Sequence, residues 1–81
     1  MEVRVLFFAS IREAAGVKGV TVTLEAGNST DHLKEALSAQ FPQLREPLST
    51  ITLAVNKSYV FNATTLHNGD EVAFLPPISG G

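Results

Sequence analysis

Residues 2–8 read Glu2-Val3-Arg4-Val5-Leu6-Phe7-Phe8, and they begin with the alternation of a half-buried strand. Val3, Val5 and Phe7 fall on one face, while Glu2 and Arg4 fall on the other. The polar face then turns apolar, because Leu6 and Phe8 lie on the same side as Arg4. A strand taken alone gives no reason for that change, so the reason must come from whatever strand lies beside it.

Working outward, Ile11 to Ala15 is a short helix-prone stretch, and Gly16 after it is a suitable C-terminal cap. Residues 19–25 alternate again, with Val20, Val22 and Leu24 expected inward and Thr21, Thr23 and Glu25 outward. Ala26-Gly27-Asn28 breaks that strand. Ser29 or Thr30 can cap a following helix, and Asp31 suits its positive end. The helix is expected over 30–41, since Leu33, Ala36, Leu37 and Phe41 make one apolar stripe. Pro42 ends it by disfavouring helical geometry at Phe41, and Pro42 to Pro47 reads as a loop. Strands follow at 51–55 and 59–61, joined by a turn at Asn56-Lys57-Ser58. A loop holding Leu66 and a turn at His67-Asn68-Gly69-Asp70 lead to a last strand over 71–75.

The order is β-β-α-β-β-β, with short helical turns. Burying one helix stripe against one sheet face is the economical arrangement for it. This fits an α+β class of β-grasp (ubiquitin-like) architecture, a mixed sheet of four to five strands packed on one main helix. In that fold the first and last strands lie side by side, parallel, in the middle. Val72 and Phe74 then face the core, and Leu6, Phe8, Ala73 and Leu75 form one apolar patch on the outer face. Four clustered apolar residues point to partner docking. The alternative is that a loop or the short helix at 11–15 folds over them. The domain is expected over 1–75, followed by a tail over 76–81.

The tail reads Pro76-Pro77-Ile78-Ser79-Gly80-Gly81. Two prolines donate no backbone hydrogen bond and favour extended geometry, which stops the sheet and directs the chain outward. Six extended residues reach roughly 20 Å at ~3.3 Å each. Pro76, Pro77, Ser79 and Gly80 are therefore the tail-threading residues, and a Gly-Gly end can enter a narrow channel and present the Gly81 carboxylate there. A flexible end without function has the same Ser-Gly-Gly composition.

Composition narrows the functions further. The chain has 81 residues, 44% of them hydrophobic, no cysteine and a net charge of −2. Stability must come from packing, since neither disulfides nor thiolate metal sites are available. Without a basic stripe there is no expectation of nucleic-acid binding. No apolar run approaches the ~20 residues of a membrane span, and the start reads as a strand rather than a signal peptide. A cytoplasmic location is the expectation. His32 and His67 are isolated and lack ligand-spaced companions, so no metal site is expected. No serine or acid sits in a context that supports a nucleophile–base pair, and no phosphate-binding loop motif occurs.

Three stretches carry a resemblance: VLFFASIRE near the start, AVNKS in the middle and GDEVAFLPPISGG at the end. Together they are similar to the small-subunit family of molybdopterin synthase, the sulfur carriers of ubiquitin-like type. Leu75 stands where that family frequently has an aromatic. The resemblance implies that Gly81 is adenylated by an E1-like adenylyltransferase using ATP and converted to a thiocarboxylate by a sulfur donor protein. The thiocarboxylate then gives its sulfur to cyclic pyranopterin monophosphate, building the molybdopterin dithiolene. It implies no cofactor on the chain itself. Its implied partner is a large subunit, in a heterotetramer of two small and two large chains, contacted by Leu6, Phe8, Ala73 and Leu75. Arg12 of the Arg12-Glu13 element contacts that subunit or the adenylyltransferase, the alternative being a solvated surface charge. Two other readings share the tail: a sulfur carrier of the thiamine type, and a ubiquitin-like modifier or binding domain.

Overall fold

Alternation sets the first strand: β1 spans Glu2–Phe7 and buries Val3, Val5 and Phe7. In this computed structural model the described residues are 1–77, so the expected tail positions Ser79, Gly80 and Gly81 lie outside the described residues. Helix α1 covers Ala9–Ala15, two residues earlier than its sequence pattern announces, and closes at Gly16 with φ 79°. Strand β2 is Gly19–Thr23 and helix α2 is Thr30–Gln40. Strands β3 (Thr52–Val55), β4 (Ser58–Val60) and β5 (Glu71–Leu75) complete the set.

The five strands lie in the order β2-β1-β5-β3-β4. β1 and β5 are parallel, in a register that runs from Arg4 opposite Glu71 to Phe7 opposite Phe74. The other three pairings are antiparallel. The expected β-grasp sheet, with its first and last strands parallel at the centre, is the observed one.

α2 begins at Ser29, whose hydroxyl accepts the Asp31 N–H at 3.2 Å. His32 returns the contact, its Nδ1 accepting the Ser29 N–H at 3.0 Å. This is a capping box with histidine in the place usually held by Glu or Gln. The helix buries Leu33 and Leu37 against the sheet, and Ala36 and Phe41 pack on the same core. Phe7 meets Phe41 and Phe74 edge-to-face, with centroids 6.0 and 5.9 Å apart.

Residues 42–47, expected as plain loop, carry structure. Two 3₁₀ turns, Pro42–Leu44 and Pro47–Thr50, each open on a proline and place Leu44 and Leu48 in the core. A single turn is too short to show a period, and proline fits a first helical position because its missing N–H is unpaired there anyway. Leu66 is likewise core, although it belongs to no strand or helix.

Two local constraints hold the sheet in register. Gly19 faces Leu6 across β1–β2, and a Cβ there would sit 2.4 Å from the Val5 carbonyl oxygen. At the far end, Asn56 and Lys57 turn the β3–β4 hairpin with φ of 49° and 70°, as a two-residue hairpin turn requires. Asn56 Nδ2 donates to Asp70 Oδ1 at 2.9 Å, and its Oδ1 accepts the Glu71 N–H at 3.0 Å. Asp70 Oδ2 accepts the His67 N–H at 2.8 Å. The Asn56 hydrogen bond, helped by the His67 N–H and its ring, lowers the Asp70 pKa against the opposing effect of burial.

Gly19→Ala is expected to cost about 1–3 kcal/mol, because a backbone oxygen has to move to admit the methyl. Thermal denaturation measures this. Asp70 holds its proton less tightly folded than unfolded. Its stabilisation is therefore complete above its ordinary value of 3.8 and is lost as pH falls through the lowered folded value. Denaturant melts across acidic pH should show the gap between wild type and Asp70→Asn narrowing as pH drops below about 4.

Candidate functional site

The β1–β5 register sets Leu6 beside Ala73. One step along each strand, Phe8 follows Phe7 and Leu75 follows Phe74, so all four side chains belong to the outer face. The Phe8 N–H donates to the Phe74 carbonyl at 3.2 Å, which carries the ladder to the strand ends. The structure therefore brings together the four apolar residues that the sequence placed on one patch.

What happens after Phe8 decides whether that patch stays open. Ala9 takes φ 50°, in the left-handed region, and turns the chain sharply. The Phe8 carbonyl then accepts the N–H groups of Ile11 and Arg12 at 3.1 and 3.3 Å, starting α1 at once. α1 turns to the core side, burying Ile11 and Ala15 and packing near the Pro42–Leu44 turn. It does not roof the outer face. Phe8 remains 43% exposed, and Leu6, Ala73 and Leu75 are half-buried.

The apolar surface also extends further than the sequence reading placed it. Ala54 lies beside Ala73 on β3, and Tyr59 lies beside Ala54 on β4. Phe61 follows two residues later, and its ring stacks on Tyr59 at 6.3 Å and 28°. Tyr59 is 57% and Phe61 77% exposed. The signal for them was present: two aromatics alternate around Val60, which packs on the core.

Arg12 and Glu13 are exposed on α1 and line one hollow with Lys18. Lys57 sits in the hairpin turn at the opposite end of the sheet. His32 belongs to the α2 cap, and His67 lies 3.8 Å from Asp70 in the last turn. Pro76, half-buried, and exposed Pro77 continue from β5 beside the patch. The described residues thus supply an exposed apolar face and the root of the tail. Gly80 and Gly81, the end of the threading segment and the expected reactive residue, lie outside them.

Comparison with known proteins adds to this geometry. The ThiS family model matches residues 5–81. The molybdopterin synthase sulfur carrier subunit of Chlamydomonas reinhardtii is 41% identical over 83 residues, covering 100% of both chains. SAMP1 of Haloferax volcanii, a small archaeal modifier protein, superimposes with a TM-score of 0.88 at 25% identity, covering 100% of both chains. A chain in the solved complex of subunits 1 and 2 of the Helicobacter pylori molybdopterin-converting factor gives a TM-score of 0.72 at 28% identity, again covering 100% of both chains.

The two faces of β5 should respond oppositely to substitution. Phe74→Ala, in the core, should cost about 3–5 kcal/mol. Leu75→Asp, on the outer face, should cost about 1 kcal/mol, near the span of strand propensities. Equilibrium unfolding of both variants checks the assignment of faces.

Proposed function

The chain belongs to the ThiS family, and from that premise we propose that it is the sulfur carrier subunit of a molybdopterin synthase. The observation that carries this reading is the open apolar face, which runs to the point where Pro76-Pro77 leaves β5. A carrier must be held by its partner while its end reaches a separate reaction centre. A docking face beside the root of an extended tail meets both needs.

The chemistry proceeds at Gly81. A carboxylate is a poor acyl donor, so an E1-like adenylyltransferase first joins it to AMP, using ATP bound on that partner. A sulfur donor protein then displaces AMP and leaves the thiocarboxylate. Its ionised sulfur attacks a carbon of cyclic pyranopterin monophosphate, held by the large subunit in a heterotetramer of two small and two large chains. Water then cleaves the resulting thioester, leaving the sulfur on the pterin and returning the Gly81 carboxylate. Leu6, Phe8, Ala73 and Leu75 dock on that large subunit, with Arg12 at the margin, and Pro76, Pro77, Ser79 and Gly80 thread the tail. A chain without cysteine can carry sulfur in this way because the sulfur rides on the main-chain terminus.

A second reading, a protein modifier, is favoured by the similarity to SAMP1. In that case the activated Gly81 carboxyl joins a lysine amine of another protein.

Intact-mass measurement after incubation with ATP, the adenylyltransferase and a sulfur donor separates the two. Replacement of one oxygen by sulfur in the chain supports the carrier, and covalent adducts with other proteins support the modifier. Deleting Gly81, or adding one residue after it, should abolish pterin sulfuration while leaving the thermal melt unchanged. Sulfuration retained in either variant would sink the mechanism.

A further inference from the structure

The docking face has a cationic border on the β1–β2 side. Between β1 and β2 a surface hollow of about 400 Å³ is lined by Arg4, Leu6, Lys18 and Thr21, among others. Around α1 a second hollow, of about 580 Å³, is lined by Arg12, Glu13 and Lys18. Lys18 belongs to both, so they form one trough. Leu6 ties that trough to the apolar patch. Gly19 keeps it open, since this position of β2 has no side chain.

Three of the six Lys and Arg residues of this net-negative chain meet there. Glu13 is the sole carboxylate lining either hollow. Arg4 stands in register with Glu71 without an ion pair, and the one ion pair among the described residues is His67–Asp70, in the turn whose Asp70 carbonyl accepts the Arg4 N–H. Arg4, Arg12 and Lys18 are all exposed. Unpaired cations beside an apolar docking face are the usual arrangement for steering a partner of opposite charge and fixing its orientation.

We infer that the trough formed by Arg4, Arg12 and Lys18 receives a carboxylate-rich segment of the large subunit docked on the outer face. This rests on the reading of that face as the docking surface. The apolar centre supplies contact area and the trough sets the angle of approach. Charge complementarity and continuity with the face argue for one protein occupying both.

The test is titration of the purified large subunit with wild type, Arg4→Glu/Lys18→Glu and Leu75→Asp, at about 0.1 M and 1 M salt. The screening length falls from about 10 Å to about 3 Å over that range. The charge-reversal pair should bind about tenfold more weakly at low salt and approach wild type at high salt, whereas Leu75→Asp should bind weakly at both. Unchanged or tighter binding by the charge-reversal pair, with Leu75→Asp weakened, overturns the trough and leaves the docking face standing. Unchanged binding by Leu75→Asp overturns the docking face itself, whatever the other variant does. If the charge-reversal pair loses binding to the adenylyltransferase while keeping the large subunit, the trough serves the activating partner and the inference is wrong.

Discussion

The parallel ladder between β1 and β5 is the constraint from which the other features follow. It runs from the Arg4 N–H, bound to the Asp70 carbonyl at 2.8 Å, to the Phe8 N–H on the Phe74 carbonyl. On its inner side it places Val5 beside Val72 and Phe7 beside Phe74, the centre of the core. On its outer side it places Leu6 beside Ala73. A shift of one residue would send Phe7 or Phe74 to the surface, so the burial that stabilises the fold also fixes the outer face. The core and the apolar outer face are therefore set by one register. The ladder also brings the end of β5 to the end of the sheet where α1 and Lys18 lie, which puts the root of the tail at the same end as the apolar patch.

Much of this was legible in the sequence because two-residue alternation has a direct geometric meaning. The doubly apolar end of β1 became intelligible once 71–75 was taken as its neighbour, and the observed register agrees. Gly16 was readable as a cap from residue type alone, whereas residue type left Ser29 and Thr30 both open for α2, which caps on Ser29. Elements shorter than their own period were not legible. Leu44 and Leu48 reach the core from single 3₁₀ turns that present no repeat, and Leu66 does so from an irregular segment. Ala9 hid the true start of α1, since nothing in an alanine announces a positive φ. The outer face was half read: Leu6, Phe8, Ala73 and Leu75 followed from two strands. Tyr59 and Phe61 required knowing that β3 and β4 continue the same surface beyond β5.

Several polar side chains of the molecule have structural partners. Its polar groups mostly serve the backbone: Ser29 and His32 cap α2, Thr30 accepts the Thr64 N–H at 3.1 Å, and Asn56 with Asp70 closes the last turn. No polar side-chain atom among the described residues is buried without a hydrogen bond.

The sheet consists of two hairpin-like halves, β1–β2 and β3–β4, joined only through β5. Each half closes over a short stretch of chain and can form early, but a lone two-stranded unit is marginal in water. The joining strand must return from some 65 residues away, a loop whose entropy is spent before the Phe7–Phe74 contact returns anything. Insertion of β5 is thus the natural late event in folding. Until it occurs, both β1 and β3 present open edges to other chains in a crowded solution. The strand that leads out to Pro76-Pro77 also protects the folding chain from aggregation.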